Sequence, residues 1–313
     1  MSRLEHSVVL PVLGIATRFE TNDADVAAIV EEAFGMWRAV PVGDSPVHVT
    51  PDASPLVVRI EVVDGDEPSL GPDGHAPVRY SCPDATRVVV ETAGSVAVSE
   101  PARREATVRV SAGLVADRLH FRTEMLEAAT LALLSHFDRH PVHAAVLARQ
   151  GRAVLLAAPS GTGKSTLAYH CHLAGLDLLA EDHARVQLEP RLRVWGWPAR
   201  VRMLVDGAMA GVSASRDPTK MAIRVESGIS AARLVADEIT VCSLSRDGRA
   251  ASLEPLGAAA LARALDTQLA PGFDRFPTRW PAVRDALTRS GGWQLNLSSD
   301  PRDGVELVRR LLR

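Results

Sequence analysis

The stretch from residue 153 to residue 170 constrains the fold of this chain more than any other. An apolar run at 153–157, short enough for a buried strand, ends in a loop of small residues, Ala-Pro-Ser-Gly-Thr-Gly, at 158–163. Lys-Ser-Thr follows at 164–166, and the next residues continue as a helix. The order of strand, glycine-containing loop and helix is typical of a phosphate-binding loop. It therefore predicts an α/β fold in which this loop joins a sheet to a helix.

The loop fits the P-loop (Walker A) pattern G-x-x-x-x-G-K-[ST] except at its first position, where Ala158 replaces glycine. Glycines allow a positive φ, which turns successive backbone N–H groups inward as an anion-binding nest. The N-terminus of the following helix adds partial positive charge. The residues expected to bind a nucleotide are Ser160, Gly161, Thr162, Gly163, Lys164, Ser165 and Thr166.

Two side chains of this motif have specific expected roles. Lys164 is expected to neutralise the β- and γ-phosphates, and the Ser165 hydroxyl to ligate the Mg²⁺ that bridges them. The alternative is a Gly/Ser turn that caps an ordinary helix. The strand before the loop and the helix after it favour phosphate binding.

Composition limits the remaining function classes. A chain of 313 residues with 46% apolar residues is long enough for two domains. A net charge of −3 with scattered arginines argues against nucleic acid as a partner. Cys82, Cys171 and Cys242 have neither metal-site nor disulfide spacing, which suits a reducing compartment. We find no signal-peptide pattern or transmembrane run, so we expect a cytoplasmic protein without membrane contact.

The pattern of strands and helices divides the chain near Ser111. Residues 1–112 are expected to form a small β-rich α+β domain, with a helix at 22–37 and a strand at 7–15 that Pro11 marks as an edge strand. Further strands are expected at 56–63, 78–80, 87–91, 96–99 and 106–110. We expect this domain to serve acceptor recognition or assembly, including homo-oligomer formation.

Residues 113–313 are expected to form the nucleotide-binding domain, with a mixed sheet. Strands at 142–148 and 153–157, joined by a tight turn, predict an antiparallel hairpin that leads into the loop. Helices are expected at 119–137, 165–174, 258–269, 281–289 and 301–312. Other strands are expected at 177–180, 184–188, 192–195, 200–204, 221–225, 239–244, 251–256 and 293–297.

Glu181 and Asp182 form the second chemical motif, directly after the strand at 177–180. Phosphoryl transfer needs a group that holds the metal and a group that accepts a proton from the attacking hydroxyl. Two carboxylates at the end of a strand beside the loop can supply both. The residues alone leave open which carboxylate holds the metal and which is the base. The alternative is a solvated acidic turn.

Histidines give a weaker signal. His143 lies on the strand that precedes the loop, where it could orient a site carboxylate. From the sequence alone, a packed histidine on a half-buried strand is the better interpretation. His170, His172 and His183 lack metal-ligand spacing, and we interpret them as surface or packing residues.

Three segments together resemble the HPr kinase/phosphorylase family. They are Val-His-Ala-Ala-Val at 142–146, Ala-Pro-Ser-Gly-Thr-Gly-Lys-Ser-Thr at 158–166 and Gly-Leu-Asp-Leu-Leu-Ala-Glu-Asp at 175–182. They look still more like the kinase-like relatives in bacterial peptide-modification clusters, including those that phosphorylate lasso-peptide precursors. The similarity spans about residues 140–204, with weaker segments at 219–222 and 253–256.

The resemblance implies a phosphoenolpyruvate-carboxykinase-like P-loop fold, use of ATP with Mg²⁺, and phosphorylation of a serine hydroxyl on a peptide or protein. It also makes His143 an expected catalytic residue beside Lys164, Glu181 and Asp182. It implies that Asp182 holds the Mg²⁺, while either carboxylate could be the base. The tandem aspartates of the family are Glu181-Asp182 here, and no counterpart is found to the acidic-arginine-glycine segment of the HPr-directed enzymes. HPr as acceptor and reverse phosphorolysis are therefore doubtful. A small-metabolite kinase and a nucleotide-binding regulatory protein with weak turnover stay as alternatives.

Overall fold

The computed structural model describes residues 4–40, 54–65, 69–71, 74–84, 86–92, 94–197, 201–204, 213–214, 220–223, 234–267 and 279–313, with only the backbone described between 201 and 223. The chain forms two compact units, residues 1–139 and 140–313. Both are mixed α/β structures. Among the described residues, no helix has the length and apolar character needed to cross a membrane.

The N-terminal unit is built on one seven-stranded mixed sheet. Its strands are β1 (His6–Val12), β2 (Ile15–Thr21), β3 (Leu56–Val63), β4 (Arg79–Ser81), β5 (Val88–Thr92), β6 (Ser95–Glu100) and β7 (Glu105–Ser111). The order across the sheet is β1-β2-β3-β7-β6-β5-β4, and β3 pairs in parallel with both β2 and β7. Strands β5 and β6, close to the strands predicted at 87–91 and 96–99, form an antiparallel hairpin.

Helices complete this unit. They are α1 (Ala24–Phe34), α2 (Ala112–Ala116), α3 (Arg118–His120) and α4 (Ala128–Ser135), with a 3₁₀ turn at Gly35–Ala39 and a π-helical segment at Phe121–Glu127. Asp23 caps α1 by accepting a hydrogen bond from Val26 N–H at 2.9 Å. Apolar side chains of the helical segment, such as Phe121, Met125 and Leu133, are fully buried.

The division between the units differs from the sequence-based boundary near residue 112, because it falls between Arg139 and His140. Helix α4 packs on β5, β6 and β7, so burial of its apolar face joins it to the first sheet. The predicted strand at 7–15 is confirmed only for residues 7–12, which lie in β1. Leu13 and Gly14 have φ values of 51° and 76°, and they turn the chain into the β1–β2 hairpin. Pro11 does lie on a strand at the end of the sheet order.

The described residues of the C-terminal unit form three sheets. Its strands are β8 (His140–His143), β9 (Ala145–Arg149), β10 (Arg152–Ala157), β11 (Asp177–Ala180), β12 (His183–Gln187), β13 (Arg193–Trp195), β14 (Val201–Leu204), β15 (Ser213–Ala214), β16 (Lys220–Ile223), β17 (Val235–Ala236), β18 (Glu238–Ser245), β19 (Ser252–Leu256) and β20 (Gly292–Asn296). Its helices are α5 (Lys164–Leu173), α6 (Ala258–Asp266), α7 (Trp280–Thr288) and α8 (Pro301–Leu311). Residues 200, 219, 224–225 and 268–269, which belong to predicted or resembling segments, lie outside the described residues.

The central sheet of this unit has the order β11-β9-β10-β18-β20-β19. Strand β10 pairs antiparallel with β9 and parallel with β18, so the loop after β10 is fed by a hairpin, as predicted. The smaller sheets have the orders β17-β13-β12-β8 and β14-β16-β15.

Strand β10 is buried on both faces, which explains its continuous apolar sequence. Val154 and Leu156 belong to one apolar cluster, which includes residues of α5 and α8. Leu155 belongs to a second cluster, which includes residues of β12, α6 and α7. The loop therefore begins from a strand that apolar contacts hold on both faces.

Candidate active site at the glycine-containing loop

The loop at 158–163 has the backbone geometry that its sequence predicts. Gly161 and Gly163 have φ values of 84° and 110°, in the region that favours glycine. Thr162 Oγ1 donates a hydrogen bond to Pro159 O at 2.9 Å. Ala158 is fully buried in the cluster beside α5 and is not among the positive-φ residues of the described chain. An alanine is therefore compatible with this position of the loop.

Two strand breaks bring the acidic pair to the loop. The predicted strand at 142–148 is interrupted at Ala144, so that β8 joins the four-stranded sheet and β9 the central sheet. In the same way, β11 lies in the central sheet and β12 in the four-stranded sheet, with Glu181 and Asp182 between them. The N–H of Ala144 donates to Asp182 O at 3.1 Å, which links the two breaks.

The two strand breaks, at Ala144 and at Glu181–Asp182, together form a crossing point between the central sheet and the four-stranded sheet. Lys164, the first residue of α5, reaches this crossing point. Its ammonium donates to Asp182 Oδ1 and lies 3.2 Å from His143 Nε2. His143 Nε2 is also 3.2 Å from Asp182 Oδ1, so the three groups form a triangle. One ring nitrogen cannot both accept from Lys164 and donate to Asp182, so the tautomer of His143 decides which contact is a hydrogen bond.

The ionisation of Asp182 reflects these neighbours. Burial alone would raise the pKa of its carboxyl, but the Lys164 ammonium, together with His183 and His143, outweighs burial and lowers the pKa to about 2. The Lys164 side chain is only 6% exposed, so this ion pair is largely shielded from solvent. Asp182 is therefore ionised throughout the neutral range.

Glu181 faces the other motif side chain. It is buried, and its Oε1 accepts a hydrogen bond from Ser165 Oγ. Each carboxylate of the pair therefore contacts one residue at the start of α5. Thr162, Gly163 and Thr166 are partly buried beside them, while Ser160 and Gly161 are exposed at the rim of the loop. All the residues predicted for the site lie on this loop, on the first turn of α5 or at the strand breaks.

Two residues near the loop were missed by sequence reasoning. His183 was interpreted as a surface or packing residue, yet its Nε2 lies 3.6 Å from Asp182 Oδ2 and its ring meets the His143 ring edge-on at 6.2 Å. Arg246 follows β18, and its Nε donates to Thr162 O at 3.3 Å. The pairing of β18 with β10 was the signal for Arg246, since the carboxyl ends of parallel strands meet at one edge of a sheet.

The lowered pKa of Asp182 makes folding stability depend on pH. A carboxyl with a lowered pKa in the folded state stabilises the fold above its unfolded value of 3.8, and that contribution is lost as pH falls toward about 2. We expect the unfolding free energy to fall by about 2 kcal/mol more in wild type than in Asp182→Asn over this window. Denaturant unfolding at several pH values measures the difference. Asp285→Asn, an exposed change in the same unit, is the control, and equal pH dependence in Asp182→Asn and wild type would contradict the ion-pair description.

Solved structures include one that is similar to part of this chain. The chain is similar to the HPr(Ser) kinase/phosphatase from Coxiella burnetii, with a TM-score of 0.32 and 13% sequence identity over 55% of this chain and 95% of the other. At this TM-score the likeness carries no conclusion about fold or activity. No protein-family model and no curated protein matches the chain.

Proposed function

We propose that the C-terminal unit is an ATP-dependent phosphotransferase that acts on a hydroxyl acceptor. One observation carries the proposal: Lys164 and Ser165, at the start of α5, each contact one carboxylate of the Glu181–Asp182 pair. A phosphate-binding cation, a metal-binding hydroxyl and two carboxylates are the groups that phosphoryl transfer requires within one site. A Gly/Ser turn that merely capped a helix would need none of them.

The loop supplies the phosphate-binding part. Its positive-φ glycines and the first turn of α5 would direct backbone N–H groups toward a bound phosphate, and the helix would add partial positive charge. Lys164 would add a charge-assisted contact to the terminal phosphates. A bound triphosphate would thus compete with Asp182 for the Lys164 ammonium.

Ser165 and Glu181 are suited to a magnesium ion. A hydroxyl and a carboxylate are oxygen ligands of the kind that Mg²⁺ prefers, and here they already contact each other. Bound Mg²⁺ would supply charge neutralisation for the phosphate oxygens. The sequence assigned the metal to Ser165 and Asp182, whereas the contact between Ser165 and Glu181 favours Glu181. Both assignments remain proposals.

Asp182 and its histidines are suited to the proton transfer. In the proposed reaction, the acceptor oxygen bonds to the γ-phosphorus as the bond to the β,γ-bridging oxygen breaks, ADP leaves, and the hydroxyl proton passes to a carboxylate. With a pKa of about 2, Asp182 is a weak base while Lys164 is paired to it. If the Lys164 ammonium bound a phosphate instead, the ion pair would be lost and the pKa of Asp182 would rise. Nucleotide binding would thus make Asp182 a stronger base.

The acceptor is proposed from the resemblance described above, which favours a serine hydroxyl on a peptide or protein. The hairpin of β9 and β10 before the loop argues against a small-metabolite kinase of the shikimate type, in which such a loop usually follows the first strand of a βαβ unit. The N-terminal unit is proposed to recognise the acceptor or to mediate assembly.

Ser165→Ala tests the proposed metal-dependent nucleotide site. We expect wild type to bind ATP more tightly with Mg²⁺ than without it, and Ser165→Ala to lose most of that difference because one metal ligand is gone. Calorimetric titration with ATP, with and without Mg²⁺, measures the effect. The matched control is Ser290→Ala, an exposed serine in the same unit that lies outside the site. Absence of ATP binding by folded wild type would contradict the proposed function.

A further inference from the structure

The N-terminal unit contains a cluster of metal-ligating side chains that the proposed phosphotransferase does not use. His75 Nδ1 lies 2.6 Å from Asp117 Oδ2, and His120 stands beside them. One ligand atom from each of the three residues lies within 4.8 Å of the others. Within the described part of the chain, no other group of three such residues meets this distance.

Local structure holds the cluster in place. Asp117 joins α2 to α3, and its Oδ1 accepts a hydrogen bond from His120 N–H at 3.3 Å. This cap orients the carboxylate so that Oδ2 is directed toward His75. His120 is only 2% exposed, whereas the side chains of His75 and Asp117 are 32% and 31% exposed. The cluster is therefore closed to solvent at His120 and open to solvent at His75 and Asp117.

Among the described residues, the arginines near Asp117 pair with other carboxylates. Arg118 Nε pairs with Glu32 at 2.9 Å, and Arg122 pairs with Glu32 and Glu127. The basic side chains of this helical segment therefore direct their charge to other carboxylates. Asp117 remains as the negative charge beside two imidazoles.

We propose that His75, Asp117 and His120 bind a divalent transition-metal ion of the Zn²⁺ class. Two imidazole nitrogens and one carboxylate oxygen form a ligand set that suits Zn²⁺, with water at the fourth position, and that suits Mg²⁺ poorly. His75 precedes β4, while the other two ligands follow β7. The metal would therefore tie the loop before β4 to the helical segment and stabilise this unit.

One side chain has to adjust. The rings of His75 and His120 are nearly parallel, with 7° between their planes and 5.1 Å between their centroids. An imidazole nitrogen binds a metal in the plane of its own ring, so both rings cannot bind one ion in this orientation. His75 has room to turn because a third of its side chain is exposed. A hydrogen-bonded His75–Asp117 pair without metal is the competing description.

The test uses the full chain after chelator treatment, with Zn²⁺ titration followed by calorimetry and by thermal unfolding. We expect one Zn²⁺ to bind in the N-terminal unit and to raise Tm, with no such effect from Mg²⁺. His75→Gln should lower Zn²⁺ affinity by at least about tenfold, since even loss of an outer-shell partner typically costs 10–100-fold. His120→Gln should do the same, but its ring is buried, so the more exposed His75 provides the variant expected to fold.

Two further variants show where the ion binds. His6→Gln, an exposed histidine in the same unit, should leave Zn²⁺ affinity unchanged. His183→Gln should also leave it unchanged, because His183 lies beside Asp182 in the other unit. The proposal fails if wild type binds no Zn²⁺, if folded His75→Gln binds it as wild type does, or if His183→Gln alone abolishes binding. None of these outcomes depends on the proposed phosphotransferase activity.

Discussion

Lys164→Met is expected to lower the rate of phosphoryl transfer by about 10²–10³-fold while the protein stays folded. Methionine retains much of the length and apolar stem of lysine, so the packing around this buried position is largely preserved. The variant loses a charged donor aimed at the phosphates, which typically costs about 10²–10³-fold in rate. A charge-assisted hydrogen bond contributes about 1.5–3 kcal/mol, so ATP affinity should also fall by roughly 10–100-fold. Calorimetry with ATP and a transfer assay with γ-labelled ATP measure the two effects.

Lys164→Arg is the matched control for this experiment. Arginine keeps the positive charge but replaces a compact ammonium with a planar guanidinium, which cannot occupy the same position between Asp182 and His143. We expect ATP binding to be partly retained and transfer to be strongly reduced. If folded Lys164→Met bound ATP as tightly as wild type, the loop would not be the phosphate site.

The sequence predicts the loop well because its signals are local. The apolar run at 153–157 corresponds to β10, and the predicted helix at 165–174 corresponds to α5, which begins one residue earlier. Positive φ at Gly161 and Gly163 follows from the need for a tight turn between them. Each of these features depends only on residues that are close together in the sequence.

The crossing of the sheets depends on contacts between distant residues. The run at 142–148 is apolar except for His143, and nothing local marks the break at Ala144. The break exists because His143 pairs in register with His183, while Val146 pairs with Leu155 of β10. Both edges of β9 are already paired, with β10 and β11, so β12 pairs with the separate strand β8 in another sheet. Sequence reasoning therefore singled out His143, on the strand before the loop, but missed His183, which lies beside the same carboxylate of Asp182.

Arg246 and the N-terminal cluster illustrate the same limit. Arg246 is 84 residues from Thr162 in the chain, and it reaches the loop only because β18 lies next to β10. His75 and Asp117 are separated by 42 residues, which is too far apart for a short metal-binding sequence motif. Such groups can be found only when the strand order is known.

Glu181→Gln and Asp182→Asn are expected to separate metal binding from base catalysis. Each change removes one charge and retains the approximate shape of the side chain. A metal ligand holds Mg²⁺ whether or not an acceptor is present, whereas a general base matters only when a proton is transferred. The two variants should therefore differ in nucleotide binding even if both transfer phosphate poorly.

The contacts at the start of α5 determine the expected direction. Glu181 accepts from Ser165 Oγ, so Glu181→Gln should weaken the Mg²⁺-dependent part of ATP binding as well as transfer. Asp182 contacts Lys164 and lies close to His143 and His183, so Asp182→Asn should leave Mg²⁺-dependent binding nearly intact and lower transfer by about 10²–10⁴-fold. The sequence-based assignment of Asp182 to the metal predicts the opposite pattern.

Label transfer from γ-labelled ATP to a serine-containing peptide, measured beside Mg²⁺-dependent ATP affinity, distinguishes the two patterns. Asp177→Asn, on the strand that leads to the pair, is the matched control, and it should retain both binding and transfer because its side chain precedes the crossing point. Loss of transfer in Asp182→Asn with unchanged ATP affinity would identify Asp182 as the base. Transfer at the wild-type rate in both Glu181→Gln and Asp182→Asn would remove the acidic pair from the mechanism, because neither carboxylate could then be the group that accepts the hydroxyl proton.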